Sequence, residues 1–372
     1  MILEVDTKDS KQVRRFLQFP HDLYKTTPQW VPPLSSDVRL IMDHSRHPFY
    51  QHSEAAFFLA EDDQHKPIGR LAILNNRNYN QYKNERTAFF YLFECIPDQK
   101  VVCDLFEYAI KWARSQGLKK IYGPRGFTAL DGKGMLVKGF EHRPAFGIPY
   151  NLPYYPGLIE SVGFMPAGEL LSGYLGADTI FPEKIHQMSE RIQERRGLSI
   201  ARFHSRRDLK ALIPHLKELY NSALGDLSGN VPLTDAEVKT LADQLLWFAD
   251  PKLLKIVMKN DQPVGFLFAY PDISAAVQRT KGKIFPVGWL FLLLELRQTK
   301  WININGAGMM EGYRGLGGTA ILFSEMEKSI REGGFHHADL VQIKVENDRM
   351  LRELRNLGVD FYKTHRLYTL EI

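Results

Sequence analysis

The stretch Glu311-Gly-Tyr-Arg-Gly-Leu-Gly-Gly-Thr-Ala-Ile-Leu322 is a glycine-rich turn that joins two segments with regular patterns. Before it, Trp301-Ile-Asn-Ile-Asn305 alternates apolar and polar side chains, which is typical of a half-buried strand. After it, apolar side chains recur at helical spacing as far as Ile330, and Gly333-Gly334 ends the predicted helix. The sequence therefore predicts a strand, a tight turn and a helix, in that order.

The turn has the properties of a binding site for a diphosphate. A helix N-terminus presents unpaired backbone N–H groups and the positive end of the helix dipole. Gly315, Gly317 and Gly318 place no side chain in the path of a phosphate. The chain lacks Gly-x-x-x-x-Gly-Lys-Ser/Thr, and the turn lacks the third glycine of a dinucleotide fingerprint. A glycine-rich turn that binds no ligand is the alternative.

The same residues resemble the coenzyme A signature of the GNAT N-acyltransferase superfamily, Gln/Arg-x-x-Gly-x-Gly/Ala. Arg314 and Gly317 match this signature, whereas Thr319 departs from its last position. A β-branched residue at that position could narrow the phosphate site, although a cradle made of backbone groups tolerates the change. The resemblance implies a GNAT fold and a site for acyl-CoA.

The resemblance continues beyond the predicted helix. In the superfamily a strand follows, and then a short helix with the pattern Asn-x-x-Ala-x-x-x-Tyr-x-x-x-Gly. Asn347, Met350, Leu354 and Gly358 fall at the corresponding spacing, after a predicted strand over 336–345. Leu354 occupies the place where many family members carry the tyrosine that protonates the departing thiolate. Another residue, or water, must then supply that proton.

An internal repeat is the second large signal. Gly69 and Gly265 lie in similar turn-and-strand segments about 196 positions apart, and Gly163 and Gly358 have nearly the same separation. A constant offset at two landmarks predicts two copies of one unit. The chain length of 372 residues also suits two domains.

We therefore expect an α/β (α+β) protein made of two tandem GNAT-like units, each with a mixed, mostly antiparallel, twisted sheet flanked by helices. Residues 1–176 form the first predicted domain, 177–197 a linker helix, and 198–372 the second domain. The long segment 123–156 is rich in glycine, proline and aromatic residues, which indicates a folded loop. It is either a lid or pocket wall, or a loop that only covers the first unit.

The first unit is expected to have lost coenzyme binding. Its equivalent of the glycine-rich turn is Ile96-Pro-Asp-Gln-Lys-Val-Val-Cys103, which contains no glycine. Pro97 and the bulky side chains around it make a tight phosphate cradle unfavourable. The second unit should therefore hold the coenzyme alone.

The resemblance implies transfer of an acyl group, with acetyl as the expected case, from acyl-CoA to an amine. The site would need a base, an oxyanion donor and an acid for the sulfur. The predicted oxyanion donor is the backbone of 307–310. The predicted catalytic side chains are Glu346, Tyr362 and Glu311, with His365 as a further candidate. The residues implied to bind the coenzyme are Met309, Met310, Arg314, Gly315, Leu316, Gly317, Gly318, Thr319 and Asn347.

Two other functions remain open. A noncatalytic acyl-CoA sensor or scaffold is favoured by Leu354, because the expected acid is missing. A transferase that uses long-chain acyl-CoA or aminoacyl-tRNA is the other, and the apolar run Ile284–Leu296 could line a fatty-acyl channel or form a buried helix. The run is too short for the ~20 residues of a membrane span.

Composition limits the partners and the compartment. A formal charge of +5 without a concentrated basic stripe argues against nucleic acid as a partner. The first six residues lack the pattern of a signal peptide, and two cysteines favour a reduced compartment, so a cytoplasmic location is expected. Cys95 and Cys103 suggest structural thiols, and His44, His47 and His52 suggest loop histidines more than a metal site. The predicted acceptor is a small-molecule or peptide amine, and the oligomeric state is open.

Overall fold

The computed structural model describes residues 1–128, 131–203, 205–224, 231–246 and 249–372. The chain forms two compact units, each built from segments that are separated in sequence. Unit 1 contains Met1–Leu171, Ile273–Glu295 and Tyr362–Ile372, and unit 2 contains Ser172–Asp272 and Leu296–Phe361. The domain boundary predicted within 176–197 stays a prediction.

The helices and strands follow the same order twice along the chain. The first series is β1 (Ile2–Glu4), α1 (Ser10–Leu23), α2 (Ser35–Ile41), β2 (Glu54–Glu61), β3 (Pro67–Asn75), α3 (Arg77–Lys83), β4 (Thr87–Cys95), α4 (Gln99–Ser115), β5 (Lys120–Gly123), β6 (Met135–Lys138), α5 (Tyr155–Ser161) and β7 (Met165–Gly176). The second series is α6 (Glu183–Arg196), β8 (Leu198–Ile200), α7 (Arg206–Leu224), α8 (Asp235–Leu246), β9 (Leu254–Lys259), β10 (Gln262–Pro271), α9 (Ser274–Thr280), α10 (Gly288–Gln298), β11 (Trp301–Met309), α11 (Gly318–Glu332), β12 (His337–Lys344), α12 (Asp348–Asn356) and β13 (Asp360–Glu371). Apart from β6, α6 and the extra helix α10, each element of one series has a counterpart in the other.

The strands of each unit form a mixed sheet. In unit 1 the order is β1-β2-β3-β4-β5-β13, with β6 also paired to β13, and in unit 2 it is β7-β12-β11-β10-β9-β8. The strands β4 and β5 are parallel, as are β11 and β12. The pairs β2–β3 and β9–β10 are antiparallel. The predicted fold class, with mixed and mostly antiparallel sheets flanked by helices, is confirmed.

Helices α4 and α11 occupy equivalent places and cover their sheets in the same way. In α4, Val102, Leu105 and Phe106 are fully buried at the spacing of one helical face. In α11, Ile321 and Leu322 belong to the core of unit 2. The apolar spacing that predicted the second helix therefore marks the face that packs on β9 and β11.

The long loop of the first series is folded into unit 1. The amide of Asn151 accepts a hydrogen bond from the Leu136 N–H at 2.6 Å and donates one to the Leu136 carbonyl at 3.1 Å. Leu136 lies in β6, which pairs with β13. Residues 129–130 of this loop lie outside the described residues. The folded conformation of this loop agrees with both interpretations: a lid or pocket wall, and a loop that only covers the first unit.

The apolar run Ile284–Leu296 differs from the buried helix that its composition suggested. It forms a short loop and most of α10, in which Gly288 and Leu292 are buried. Leu290 and Leu294 are 46% and 51% exposed, so the prediction of a buried helix is wrong. Hydropathy indicated a helix with apolar faces but could not show whether another element covers them. Among the described helices, none has both the length and the apolar character required to cross a bilayer.

Candidate active site

Two parallel strands of unit 2 diverge and leave a cleft. β11 and β12 pair from Trp301 with His337 as far as Ile304 with Leu340. Beyond these pairs β11 continues to Met309 and β12 to Lys344. On its other edge β11 has a shift of register against β10, near Gly306, whose φ is +92°. The carboxyl ends of β11 and β12 therefore separate, which leaves backbone groups of β11 exposed to the cleft.

The pairing of β11 with β10 limits which backbone N–H groups can serve as donors in this cleft. The Met310 N–H donates to the Val264 carbonyl of β10 at 2.8 Å, so it is not available to an oxyanion. Because successive N–H groups of a strand point to opposite edges, the Met309 N–H points away from β10, toward the cleft. Within the predicted segment 307–310, Met310 is therefore unsuitable as the donor, whereas the N–H groups of Met309 and, two residues earlier, Ala307 both point away from β10.

The glycine-rich turn adopts the conformation that a phosphate cradle needs. Gly315 has φ +78°, and Gly317, at φ +88°, precedes the first turn of α11 without any side chain capping the helix. Among the hydrogen bonds of the described residues, none uses the N–H groups of Gly315, Gly317, Gly318 or Thr319. These donors, together with the positive end of the α11 dipole, suit a diphosphate.

A cation lines the same turn. A Cβ built on Gly315 would meet only Arg349 within 4 Å, with Nη1 at 3.9 Å, so the space beside this glycine is open and next to a guanidinium. Arg349 lies in the first turn of α12, where it also forms an ion pair with Glu353 at 3.1 Å. Arg349 was not predicted from the sequence, although it lies only two residues after Asn347.

The other residues predicted to bind the coenzyme have structural contacts of their own. The Arg314 guanidinium donates to the carbonyls of Met309 and Ala223, each at 3.2 Å, and so holds the turn against β11 and α7. The Asn347 side chain caps α12 by accepting from the Met350 N–H at 3.3 Å. A Cβ on Gly318 would lie 2.4 Å from the Met309 methyl, so this glycine also allows close packing.

Helix α6 packs along α11 in unit 2. His186 contacts Glu327 through Nε2 at 2.8 Å and Ser324 through Nδ1 at 2.9 Å. At the other end of this contact, a Cβ on Gly317 would lie 2.2 Å from Cδ1 of Ile192. Gly317 is therefore required by its positive φ and by the close approach of α6, whether or not a coenzyme is bound.

Comparison with known proteins agrees with this architecture. No protein-family model matches the chain. Protein YghO of Escherichia coli is 24% identical over 98% of this chain and 94% of its own length. A bacterial ceramide synthase of Caulobacter vibrioides is 25% identical over 98% of this chain and 96% of its own length.

Among solved structures, a tandem GNAT protein from the clavulanic acid biosynthesis pathway aligns with all of this chain and 98% of its own, at a TM-score of 0.57 and 12% identity. A GCN5-related N-acetyltransferase from Sphaerobacter thermophilus covers all of this chain and 95% of its own, at a TM-score of 0.53 and 12% identity. The chain has the tandem GNAT fold. The resemblance in the sequence is thereby confirmed at the level of the fold.

The predicted catalytic side chains of the GNAT site fall in different units. Glu311 is exposed in a 3₁₀ turn after β11, and Glu346 is exposed between β12 and α12, both in unit 2. Tyr362 belongs to unit 1, where its ring packs against His142 with the centroids 4.7 Å apart. Glu311 and Glu346 are therefore free to meet solutes, and the roles of all three remain predictions.

His365 has a structural environment. It is fully buried in unit 1, and its Nε2 lies 2.9 Å from the Pro149 carbonyl, which can only accept. Burial lowers the pKa of His365 to about 4. The imidazole is therefore neutral at physiological pH and donates through Nε2.

Leu354, at the place where many GNAT proteins carry a tyrosine, is a buried core residue. The side chain is 2% exposed and belongs to the core of unit 2. It supplies packing in α12 where many family members carry an acid. Leu354 therefore has no group that could donate a proton.

Within the described residues, the Cys95 thiol and the possible metal ligands do not form a second reactive site. Burial raises the pKa of the Cys95 thiol to about 12, which keeps it protonated. Within the described part of the chain, no group of three or more His, Cys, Asp or Glu side chains could hold a metal ion. An open pocket of about 440 Å³ beside Tyr313 is lined by both polar and apolar groups, among them Glu218, Lys259, Leu219 and Pro263.

Proposed function

We propose that this chain is an acyl-CoA-dependent N-acyltransferase that binds the coenzyme in unit 2. The observation that carries the proposal is the uncapped start of α11, with unused N–H groups at Gly315, Gly317, Gly318 and Thr319 among the described hydrogen bonds, beside the diverging strands β11 and β12. The diphosphate would lie on these N–H groups, and Arg349 would add a positive charge.

The groups around the cleft support a simple reaction scheme. The neutral amine attacks the thioester carbon, the carbonyl oxygen becomes negative, and the carbon–sulfur bond then breaks to leave an amide and the thiol. The Met309 N–H would donate to the oxyanion. Glu346, or Glu311, would accept the proton that the amine loses, directly or through water. The sulfur would take its proton from water, because Leu354 cannot supply one.

The acyl group and the acceptor are proposed to be long-chain lipids. The support is the relative named bacterial ceramide synthase, which aligns with 98% of this chain. A ceramide is the amide of a fatty acid and a long-chain amino alcohol, so both partners of that reaction carry alkyl chains. Acetyl transfer to a small-molecule or peptide amine is the second candidate, and the name of the Sphaerobacter acetyltransferase favours it.

Product analysis separates the two candidates. The purified full-length chain would be incubated with acetyl-CoA, octanoyl-CoA or palmitoyl-CoA, each with sphinganine, a diamine or a short peptide, and amides would be identified by mass spectrometry. We expect palmitoyl sphinganine as the main product. Amides formed only from acetyl-CoA would favour the second candidate.

The same experiment tests the sensor alternative. Tight binding of acyl-CoA without any amide, across all acceptors, would mean that the coenzyme site is retained and the chemistry lost. Glu346→Gln and Glu311→Gln would serve as variants, since an effect on turnover without an effect on coenzyme binding identifies the base.

A further inference from the structure

The exposed apolar side chains of this protein are concentrated in one short segment. Among the described residues, thirteen large hydrophobic side chains are exposed, and six of them lie between residues 285 and 294. We call this set the α10 patch: Phe285, Val287, Trp289, Leu290, Leu293 and Leu294. Phe285 is 80% exposed, which leaves nearly its whole ring in water. Such a concentration marks an interaction site, because scattered single residues would need no explanation.

Helix α10 differs from an ordinary surface helix because its solvent-facing side carries apolar side chains. Gly288 and Leu292, four residues apart, are buried, while Leu290, Leu293 and Leu294 on the other side are 45–51% exposed. A surface helix normally presents charged and polar side chains there. The exposed leucines of α10 therefore suit contact with an apolar medium.

Three donors of the α10 patch are already satisfied within the segment. The Trp289 indole donates to the Pro286 carbonyl at 3.0 Å. The Trp289 backbone N–H donates to the Ile284 carbonyl at 2.8 Å, and the Leu290 N–H donates to the Val287 carbonyl at 3.1 Å. The α10 patch can therefore enter a region of low dielectric constant without leaving these donors unpaired.

The base of the segment is fixed to unit 1. The Gln278 amide donates to the carbonyls of Pro28 and Trp30 at 2.7 and 2.9 Å. The Ser35 N–H donates to the Gly282 carbonyl at 2.9 Å. The patch is thus held in place before any partner arrives, which lowers the entropy lost on binding.

The charges beside the patch select the kind of partner. From Arg279 to the end of α10 at Gln298 the chain carries four cations, all exposed, and one acid, Glu295. The cations are Arg279, Lys281, Lys283 and Arg297. An isologous contact between two copies would set this positive segment against itself, which is unfavourable. An anionic lipid surface offers an apolar interior and negative headgroups together.

We propose that the α10 patch docks the protein on anionic membranes, with Phe285, Trp289 and the outward leucines in the interfacial region and the flanking cations at the headgroups. α10 has 11 residues and so lies in the surface without spanning it. This inference rests on the exposed surface and its charge, and it does not depend on the proposed acyl transfer.

Vesicle flotation of the full-length chain tests the proposal. We expect binding to phosphatidylcholine vesicles that contain phosphatidylglycerol, and weaker binding to pure phosphatidylcholine. Leu290→Glu with Leu294→Glu should reduce binding at least about tenfold. Met165→Glu with Ile180→Glu adds the same charge at two exposed hydrophobic positions elsewhere, 68% and 72% exposed, and should leave binding unchanged.

Two further measurements keep the test decisive. Vesicles with phosphatidylglycerol should shift the tryptophan emission of the native chain to the blue, and the shift should be lost in Trp289→Phe. Coenzyme A binding by the Leu290→Glu/Leu294→Glu variant should be unchanged, which separates docking from the acyltransferase site. Absence of vesicle binding by the native chain would overturn the proposal. So would a dimer in light scattering that this double variant dissociates, because the patch would then join two copies.

Discussion

The starts of α4 and α11 are equivalent positions in the two repeats, but only one of them is open to a ligand. At α4, the Asp98 carboxylate accepts from the backbone N–H groups of Lys100 and Val101, at 2.8 and 3.4 Å. At α11, Gly317 occupies the capping position and no side chain satisfies the helix. An acid at α4 both fills the site and repels a phosphate, whereas the glycines of α11 leave the donors free.

The strands before these helices differ in the same way. The Ile96 N–H donates to Ile68 at 3.0 Å, as the Met310 N–H donates to Val264 at 2.8 Å. In unit 1 the preceding N–H, that of Cys95, donates to the Tyr155 hydroxyl at 3.0 Å. In unit 2 the preceding N–H is that of Met309, which faces the cleft. The first repeat thus satisfies with its own side chains the helix start that has no side-chain cap in the second repeat.

The largest predicted effect is on the fold around the open site. Gly317→Val should destabilise the protein by about 2–5 kcal/mol, because a β-branched residue is strained at φ +88° and its Cβ would clash with Ile192. Thermal denaturation checks this. Ile192→Ala in the same chain should recover only the part that is due to the clash. A Gly317→Val protein with native stability would contradict the described turn.

Loss of the Tyr155 hydroxyl, the acceptor for the Cys95 N–H in unit 1, should have the next largest effect on stability. Tyr155→Phe would leave the Cys95 N–H buried without its acceptor and remove a hydrogen bond, 2.9 Å long, to Glu94. We expect a loss of about 1–3 kcal/mol in the free energy of unfolding, with coenzyme A affinity unchanged. Chemical denaturation and calorimetric titration measure the two quantities. A change in affinity would indicate that unit 1 takes part in coenzyme binding.

Removal of the α4 cap should have the smallest effect. Asp98→Ala should cost about 1 kcal/mol of stability, since two N–H groups lose their acceptor. Pro97→Ala in the same loop is the control and should leave coenzyme A affinity unchanged, as should Asp98→Ala. A second coenzyme A site in Asp98→Ala would contradict this expectation. It would mean that the Asp98 cap alone prevents the start of α4 from binding the coenzyme.

Part of this account was predictable from local sequence. Gly315 and Gly317 indicated the turn, and the matched offsets of Gly69 and Gly265 indicated two repeats, because both signals depend on backbone conformation near the residue itself. The contact between Tyr155 and Cys95 was not predictable, since sixty positions separate the partners. The assignment of Ile273–Glu295 to unit 1 likewise depends on long-range packing that periodicity does not encode.

Coenzyme A is proposed to bind at the start of α11, and a pair of variants at Gly315 tests this most directly. Asp and Asn have nearly the same size and both tolerate a positive φ better than most residues, so their effects on the fold should be alike. Only Asp would place a negative charge beside the diphosphate.

Calorimetric titration of coenzyme A into the full-length variants gives the answer. The account predicts an affinity at least about tenfold lower for Gly315→Asp than for Gly315→Asn, a difference of about 1.4 kcal/mol or more. Equal affinities in the two variants, both folded, would place the coenzyme elsewhere and contradict the claim.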